Sequence, residues 1–292
     1  MKKFIIIIFS LLAMYISSCK PEPIDLLVKQ SPQRYALSSQ YIGNGVLGVS
    51  VSKTFEALQT KNNGIDSTGF NFDSSLLVGN AKVIIKGNNG ITKELINVEK
   101  GIYVTETAEI IDLKNYTIEV FVDNKMVMNA QTNKPIKVNF DSISTYRVSN
   151  SKVVNVYYQI SDNITEENYY LVNYLIKNKQ DNINQQPTPE IIAKRMLSQN
   201  ITFDLLNDKD FINGKITVEK TVSDNYESDT LAVSLSNISK GYYHFLVAQK
   251  RAGTWFNQLR GEVINLPSNI INGYGYFQLS EPDLRILDIY KK

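Results

Sequence analysis

The run Tyr116-Thr117-Ile118-Glu119-Val120-Phe121-Val122-Asp123 decides the fold class. Tyr116, Ile118, Val120 and Val122 fall on one side of an extended chain, and Thr117, Glu119 and Asp123 on the other. Strand side chains alternate with a period of two, so such a run buries one face and wets the other. The same alternation recurs in both directions. Leu47, Val49 and Val51 alternate with Gly48, Ser50 and Ser52, and Ala81, Val83 and Ile85 with Lys82 and Lys86. Gly87-Asn88-Asn89-Gly90 then offers residues that accept positive φ, which predicts a hairpin loop. Val154/Val156/Tyr158/Ile160, Tyr170/Val172/Tyr174/Ile176, Leu231/Val233/Leu235 and Tyr243/Phe245/Val247 follow the rule. About 10–14 short strands separated by turn signals predict an all-β chain built of sandwiches. Seventeen Tyr suit half-buried sheet faces.

One segment breaks the period. Thr188-Pro189-Glu190 supplies an N-cap, a first-turn Pro and an acid, and Ile191, Ile192, Met196 and Leu197 follow at helical spacing. These predict one short helix near 189–199, ended by Asn200, after a polar loop over Lys177–Pro187. A boundary near Asn139–Ser144 gives two domains, 24–140 and 141–292, the helix lying in the second. No internal repeat of 20–50 residues is visible.

The chain has 292 residues, a formal charge of +2, one Cys and one His. That charge is too small for the basic footprint of a nucleic-acid binder. One Cys makes no internal disulfide, zinc knuckle or iron–sulfur cluster, and one His makes no multi-histidine metal site. No cofactor is implied.

Lys2 and Lys3 precede an apolar run, Phe4 to Ile16, broken only by Ser10. It is too short for a bilayer core, which needs about 20 residues, and has the length of a signal-peptide core. Ile16-Ser17-Ser18-Cys19 resembles the lipobox of bacterial lipoproteins. In that family the Cys is acylated and the peptide is cut before it, so residues 1–18 read as a signal peptide and Cys19 as the lipidation site. Acylation at that level exceeds the two-signal threshold for stable membrane anchoring. Cleavage removes two lysines and no acid, leaving the exported body neutral. Residues 19–23, with Pro21 and Pro23, read as an extended tether. Lys20 directly after the Cys favours the outer membrane by lipoprotein sorting rules. Glu22 and Asp25 are a sparse version of the acidic cluster that often marks surface-exposed members.

The run Val78–Ile85, Gly101-Ile102-Tyr103 and Tyr116–Val120 resembles the opening pattern of carboxypeptidase-regulatory-like and transthyretin-like sandwiches. There Ala81 begins an inward-facing strand, Gly101 permits a tight turn and Tyr103 packs across the sheets. Ala130-Gln131-Thr132 with Pro135 resembles the closing segment of such a domain. In the second half, Tyr169-Tyr170, Asn207–Lys215 and Pro267-Ser268-Asn269-Ile270-Ile271-Asn272-Gly273-Tyr274-Gly275-Tyr276-Phe277 are similar, together with the lipobox, to a Bacteroidetes outer-membrane lipoprotein family of unknown function (domain of unknown function 4249). A polar insert, Thr60–Asp73, departs from the family's usual start. The resemblance implies two immunoglobulin-like/transthyretin-like β-sandwich domains and genes beside TonB-dependent transporters. It implies no activity.

Candidate sites are few. His244 reads as a sheet residue or as a general base, and no Gly-x-Ser-x-Gly elbow accompanies it. Asp162, Glu166 and Glu167, and Asp204, Asp208 and Asp210, read as solvated turns or as calcium ligands without the Asp-x-Asp-x-Asp-Gly loop. Trp255 and Phe256 in one loop, and Tyr274, Tyr276 and Phe277 among Gly273 and Gly275, read as core caps or as binding aromatics. Gly273 and Gly275 permit close backbone approach, within a bulge or to a partner. The expectation is therefore a non-enzymatic, lipid-anchored cell-envelope binding protein, an accessory of a TonB-dependent outer-membrane transporter. The alternatives are a surface glycan-binding module and a carboxylate-based hydrolase, which needs two carboxyls about 5–10 Å apart.

Overall fold

The alternating runs become strands because their apolar sides meet in pairs and leave water together. The computed structural model describes residues 33–43, 46–54, 76–106, 114–147, 152–163, 165–176, 202–223, 230–252 and 265–289. The helix predicted near 189–199 and the signal segment lie outside these residues.

Two five-stranded sheets form the first sandwich. One joins β1 (Tyr35–Gly43), β2 (Val46–Lys53), β5 (Ile96–Glu99), β6 (Ile102–Glu106) and β16 (Gly273–Tyr276) in the order β16-β1-β2-β6-β5. The other joins β3 (Ala81–Gly87), β4 (Thr92–Glu94), β7 (Asn115–Val122), β8 (Lys125–Asn133) and β15 (Ile270–Ile271) in the order β15-β8-β7-β3-β4. Leu47, Val49 and Val51 face Val83, Ile85, Tyr116, Ile118 and Val120 in one core. Gly87–Gly90 is the predicted hairpin loop, with Gly90 at φ 84°. Tyr103 crosses the core as its motif predicts. Its hydroxyl donates to the Val78 carbonyl at 2.7 Å and accepts from the Ala81 N–H at 2.9 Å.

The second sandwich packs a three-stranded sheet on a four-stranded one. The first is β13-β10-β9, from β9 (Ser142–Arg147), β10 (Val153–Ser161) and β13 (Lys215–Ser223). The other is β12-β11-β14-β17, from β11 (Tyr169–Ile176), β12 (Thr202–Asn207), β14 (Thr230–Asn237) and β17 (Asp283–Asp288). Val154, Val156, Tyr158 and Ile160 meet Tyr170, Val172, Tyr174, Leu231, Val233 and Leu235 between them.

The run Tyr243/Phe245/Val247 is not a strand. It lies in helix α1 (Lys240–Ala252). The stretch Tyr242–Val247 is apolar at nearly every place, so it satisfies both periods. Its surroundings choose: Ser239 caps the turn, its Oγ accepting from the Tyr242 N–H at 3.3 Å and its carbonyl from the Tyr243 N–H at 2.9 Å. Phe245 and Leu246 then bury against Tyr169 and Ile238.

Residues 270–279, which follow the predicted boundary by more than a hundred positions, return to the first sandwich. β16 pairs in parallel with β1, Tyr35 to Gly273 through Ser38 to Tyr276, and β15 pairs with β8. Ile270, Phe277 and Leu279 join the first core.

Two substitutions separate backbone strain from collision. Gly275 has φ 100°, and a Cβ there would run into the Leu37 carbonyl; Gly90 has φ 84° and open space around it. Gly90→Ala is expected to cost about 1 kcal/mol and Gly275→Ala at least about 3 kcal/mol, read as melting temperatures. Burial raises the phenols of Tyr158 and Tyr242 to about 12 and those of Tyr170 and Tyr174 higher. Stability from these neutral phenols is complete below the free-tyrosine value of about 10 and is lost as pH rises beyond it. An absorbance titration is expected to show these four ionising only with alkaline unfolding.

Candidate functional site

Of the aromatic set, Tyr274, Tyr276 and Phe277 stand on the strap that enters the first sandwich; Trp255, Phe256 and Cys19 lie outside the described residues. Asn269 shapes the strap. Its amide accepts from the Phe277 N–H at 2.8 Å and donates to the Phe277 and Gln131 carbonyls at 2.8 and 3.1 Å. Asn272, at φ 63°, turns the chain from β15 to β16. The close approach predicted for Gly275 is to the backbone of β1.

The three rings then have different environments. Phe277 is fully buried in the first core. Tyr276 is half-buried against helix α1, its ring 5.4 Å from Tyr242 and 5.6 Å from Phe245. Tyr274 is 47% exposed, with the Arg34 guanidinium 5.6 Å from its ring centroid. Tyr274 is the most exposed of the three, because Tyr276 is covered by Tyr242 and Phe245 of α1 and Phe277 enters the first core.

His244 is exposed on helix α1 rather than held in a sheet, its ring 5.7 Å from Tyr243 and 6.2 Å from Tyr169. Beside it, Glu167 accepts from the Tyr169 hydroxyl at 2.5 Å and from Lys240 Nζ at 2.8 Å. The Lys240 ammonium also lies 5.9 Å from the Tyr169 ring centroid. These bonds hold the Glu167 carboxyl below its ordinary range, Lys240 first among the causes, and raise the Tyr169 phenol and the Lys240 ammonium. A glycosidase acid needs the opposite shift. Glu281 is likewise lowered, by Lys137 at 2.7 Å above all.

The other acids have structural partners. Asp162 accepts from the Tyr170 hydroxyl. Asp204 accepts from Lys220 Nζ at 2.7 Å and the Tyr174 hydroxyl at 3.0 Å. Asp208 accepts from the Asn168 N–H and Asp210 from the Asn207 N–H, both at 2.8 Å. Among the described residues no three His, Cys, Asp or Glu gather as a metal site would require.

The Tyr158–Tyr174–Asp204–Lys220 chain was hidden from sequence reading. The Tyr174 and Tyr158 hydroxyls share a hydrogen bond at 3.1 Å, and the four link the two sheets of the second sandwich. The signal was a lysine on the apolar side of an alternating run, Ile216/Val218/Lys220/Val222. For Glu167, a carboxyl-detected NMR titration is expected to place its midpoint below that of a free glutamate. Lys240→Met is expected to move the midpoint upward.

No curated protein matches the chain. Among solved structures, a tetra-tandem repeat from the extending region of a large adhesion protein matches at 11% identity and a TM-score of 0.22. The match covers 88% of this chain and 50% of the other, so the chain spans half the length of that structure. The chicken interferon gamma receptor alpha chain matches at 11% identity and a TM-score of 0.19, covering 70% of this chain and 89% of the other. The model of the family described as a domain of unknown function (DUF4249) matches residues 21–283, and the chain belongs to that family.

Proposed function

We propose that this chain is a lipid-anchored binding protein of the cell envelope, held in the outer membrane by an acylated Cys19, and an accessory of a TonB-dependent transporter. The observation that carries it is the order of the N-terminus: Lys2-Lys3, the apolar core, Ser17-Ser18-Cys19, and a family match that opens at residue 21. Residues 19–23, with Pro21 and Pro23, read as an extended tether behind that cysteine. The partnership draws on the family's lipoprotein resemblance.

The geometry favours binding over chemistry. Glu167 and Glu281 are held as carboxylates by lysines, as ion-paired surface groups are. No helix among the described residues is long and apolar enough to cross a membrane.

Cells fed radiolabelled palmitate are expected to label the full chain, and Cys19→Ser to abolish the label. Absence of label in the unsubstituted chain overturns the anchor. Capture of the full chain from mild detergent is expected to retain a TonB-dependent transporter, and recovery of a lone monomer overturns the partnership.

A further inference from the structure

The outer face of β9, β10 and β13 has an unusual composition. The strand registers place three rows of three side chains on it: Thr217–Gln159–Ser142, Glu219–Tyr157–Ser144 and Thr221–Asn155–Tyr146. The opposite side of β10, Val154, Val156, Tyr158 and Ile160, is in the core, so alternation turns these nine outward. They comprise two phenol rings, two amides, four hydroxyls and one carboxylate; the same face continues to Ser161 and Lys215 beyond one end and to Val153 and Ser223 beyond the other. The outer face of β3, β4 and β7 is different, being crossed by the ion pairs Lys82–Glu94 and Lys86–Glu119.

Both rings are accessible, and a hydrogen bond holds that of Tyr157. Tyr146 is 49% exposed and Tyr157 38%. They are diagonal neighbours, about 7–8 Å apart at the backbone. The Tyr157 hydroxyl donates to Glu219 Oε1 at 2.8 Å. Thr221 Oγ1 donates to Asn155 Oδ1 at 3.0 Å. Side chains fixed before a ligand arrives lose little entropy when it binds.

Charge and polarity select the ligand. An anionic ligand would need a cluster of cations, whereas these rows hold a carboxylate and Lys215 stands beyond them; a protein or lipid face would need more aliphatic area than Val153 offers. A neutral polyhydroxylated chain needs ring faces for its C–H surfaces and amides, hydroxyls and a carboxylate for its hydroxyls. The face measures about 10 by 14 Å, the reach of a short oligosaccharide. We propose that the outer face of β9, β10 and β13 binds a neutral saccharide chain, with Tyr146 and Tyr157 as stacking platforms and Asn155, Gln159 and Glu219 as hydrogen-bonding partners. The site names a ligand class for the binding role proposed above and rests on that reading for its exposure outside the cell membrane.

The test is native electrophoresis of the full chain in detergent, through gels holding a soluble β-glucan, α-glucan, xylan or mannan, with an anionic polysaccharide as control. At least one neutral polymer is expected to retard the protein. Tyr146→Ala and Tyr157→Ala are each expected to weaken retardation at least tenfold, and Tyr157→Phe to preserve most of it. No retardation by any neutral polymer, retardation by the anionic one alone, or retardation that survives the double alanine variant overturns the site. If an alanine variant melts early, Asn155→Ala serves instead, and unchanged retardation in it overturns the site. Palmitate label without retardation overturns the saccharide site alone; retardation without label overturns the anchor alone.

Discussion

The strap from Asn269 to Asp288 is the constraint on which the rest depends. Its Asn269–Phe277 clamp closes a tight loop, and Phe277 and Leu279 enter the first core. β16 then lies against β1 so closely that residue 275 has no room for a side chain. Beyond it, the Gln278 N–H donates to Ser39 Oγ at 2.8 Å, while Ser239 Oγ donates to the Gln278 side chain at 2.7 Å. Glu281 takes Lys137, the Asp283 carboxylate accepts from the Phe140 N–H, and β17 enters the second sandwich beside β14. One short run thus hydrogen-bonds to both cores and to the entry of the helix. Each bond contributes about 1 kcal/mol net, and together with the buried rings they fix the C-terminal segment in place.

The second sandwich solves a separate problem. Strands β12 and β13 are the end strands of their sheets among the described residues, and sheet edges invite pairing with other chains. Each carries an inward charge, Asp204 on β12 and Lys220 on β13, and these meet at 2.7 Å between the sheets. Tyr174 and Tyr158 complete the polar chain, so the pair is satisfied where it is partly buried. An ion pair in such a place adds little net stability, but a broken one leaves a desolvated charge, so it favours one register over its neighbours.

Much of the first sandwich was legible in the residues. Leu47 through Val51, Ala81 through Ile85 and Tyr116 through Val122 alternate because one face is buried, and period two admits only one assignment of faces. Gly101 and Tyr103 were readable as a turn and a core ring. The helix was not, because Tyr242–Val247 has His244 as its one polar gap, too few to reveal its period. The candidate aromatics were legible as a group but not in their roles. Tyr274, Tyr276 and Phe277 differ only in which neighbour each meets, and those neighbours come from residues 34, 242 and the first core.

The sequence by itself determined the all-β class, the pairing of apolar faces into sandwiches, the hairpin at Gly87–Gly90 and the membership of a family whose function is unassigned. These follow from local periodicity and from residues that permit particular dihedral angles, and both act over a few positions. The tertiary structure decided that residues 270–279 return to a sheet begun more than 200 positions earlier, that Lys220 finds Asp204, and that Tyr146 and Tyr157 share one open face. Such outcomes depend on which strands become neighbours. That choice is made by burial and hydrogen bonding across the whole chain, and no local window contains it.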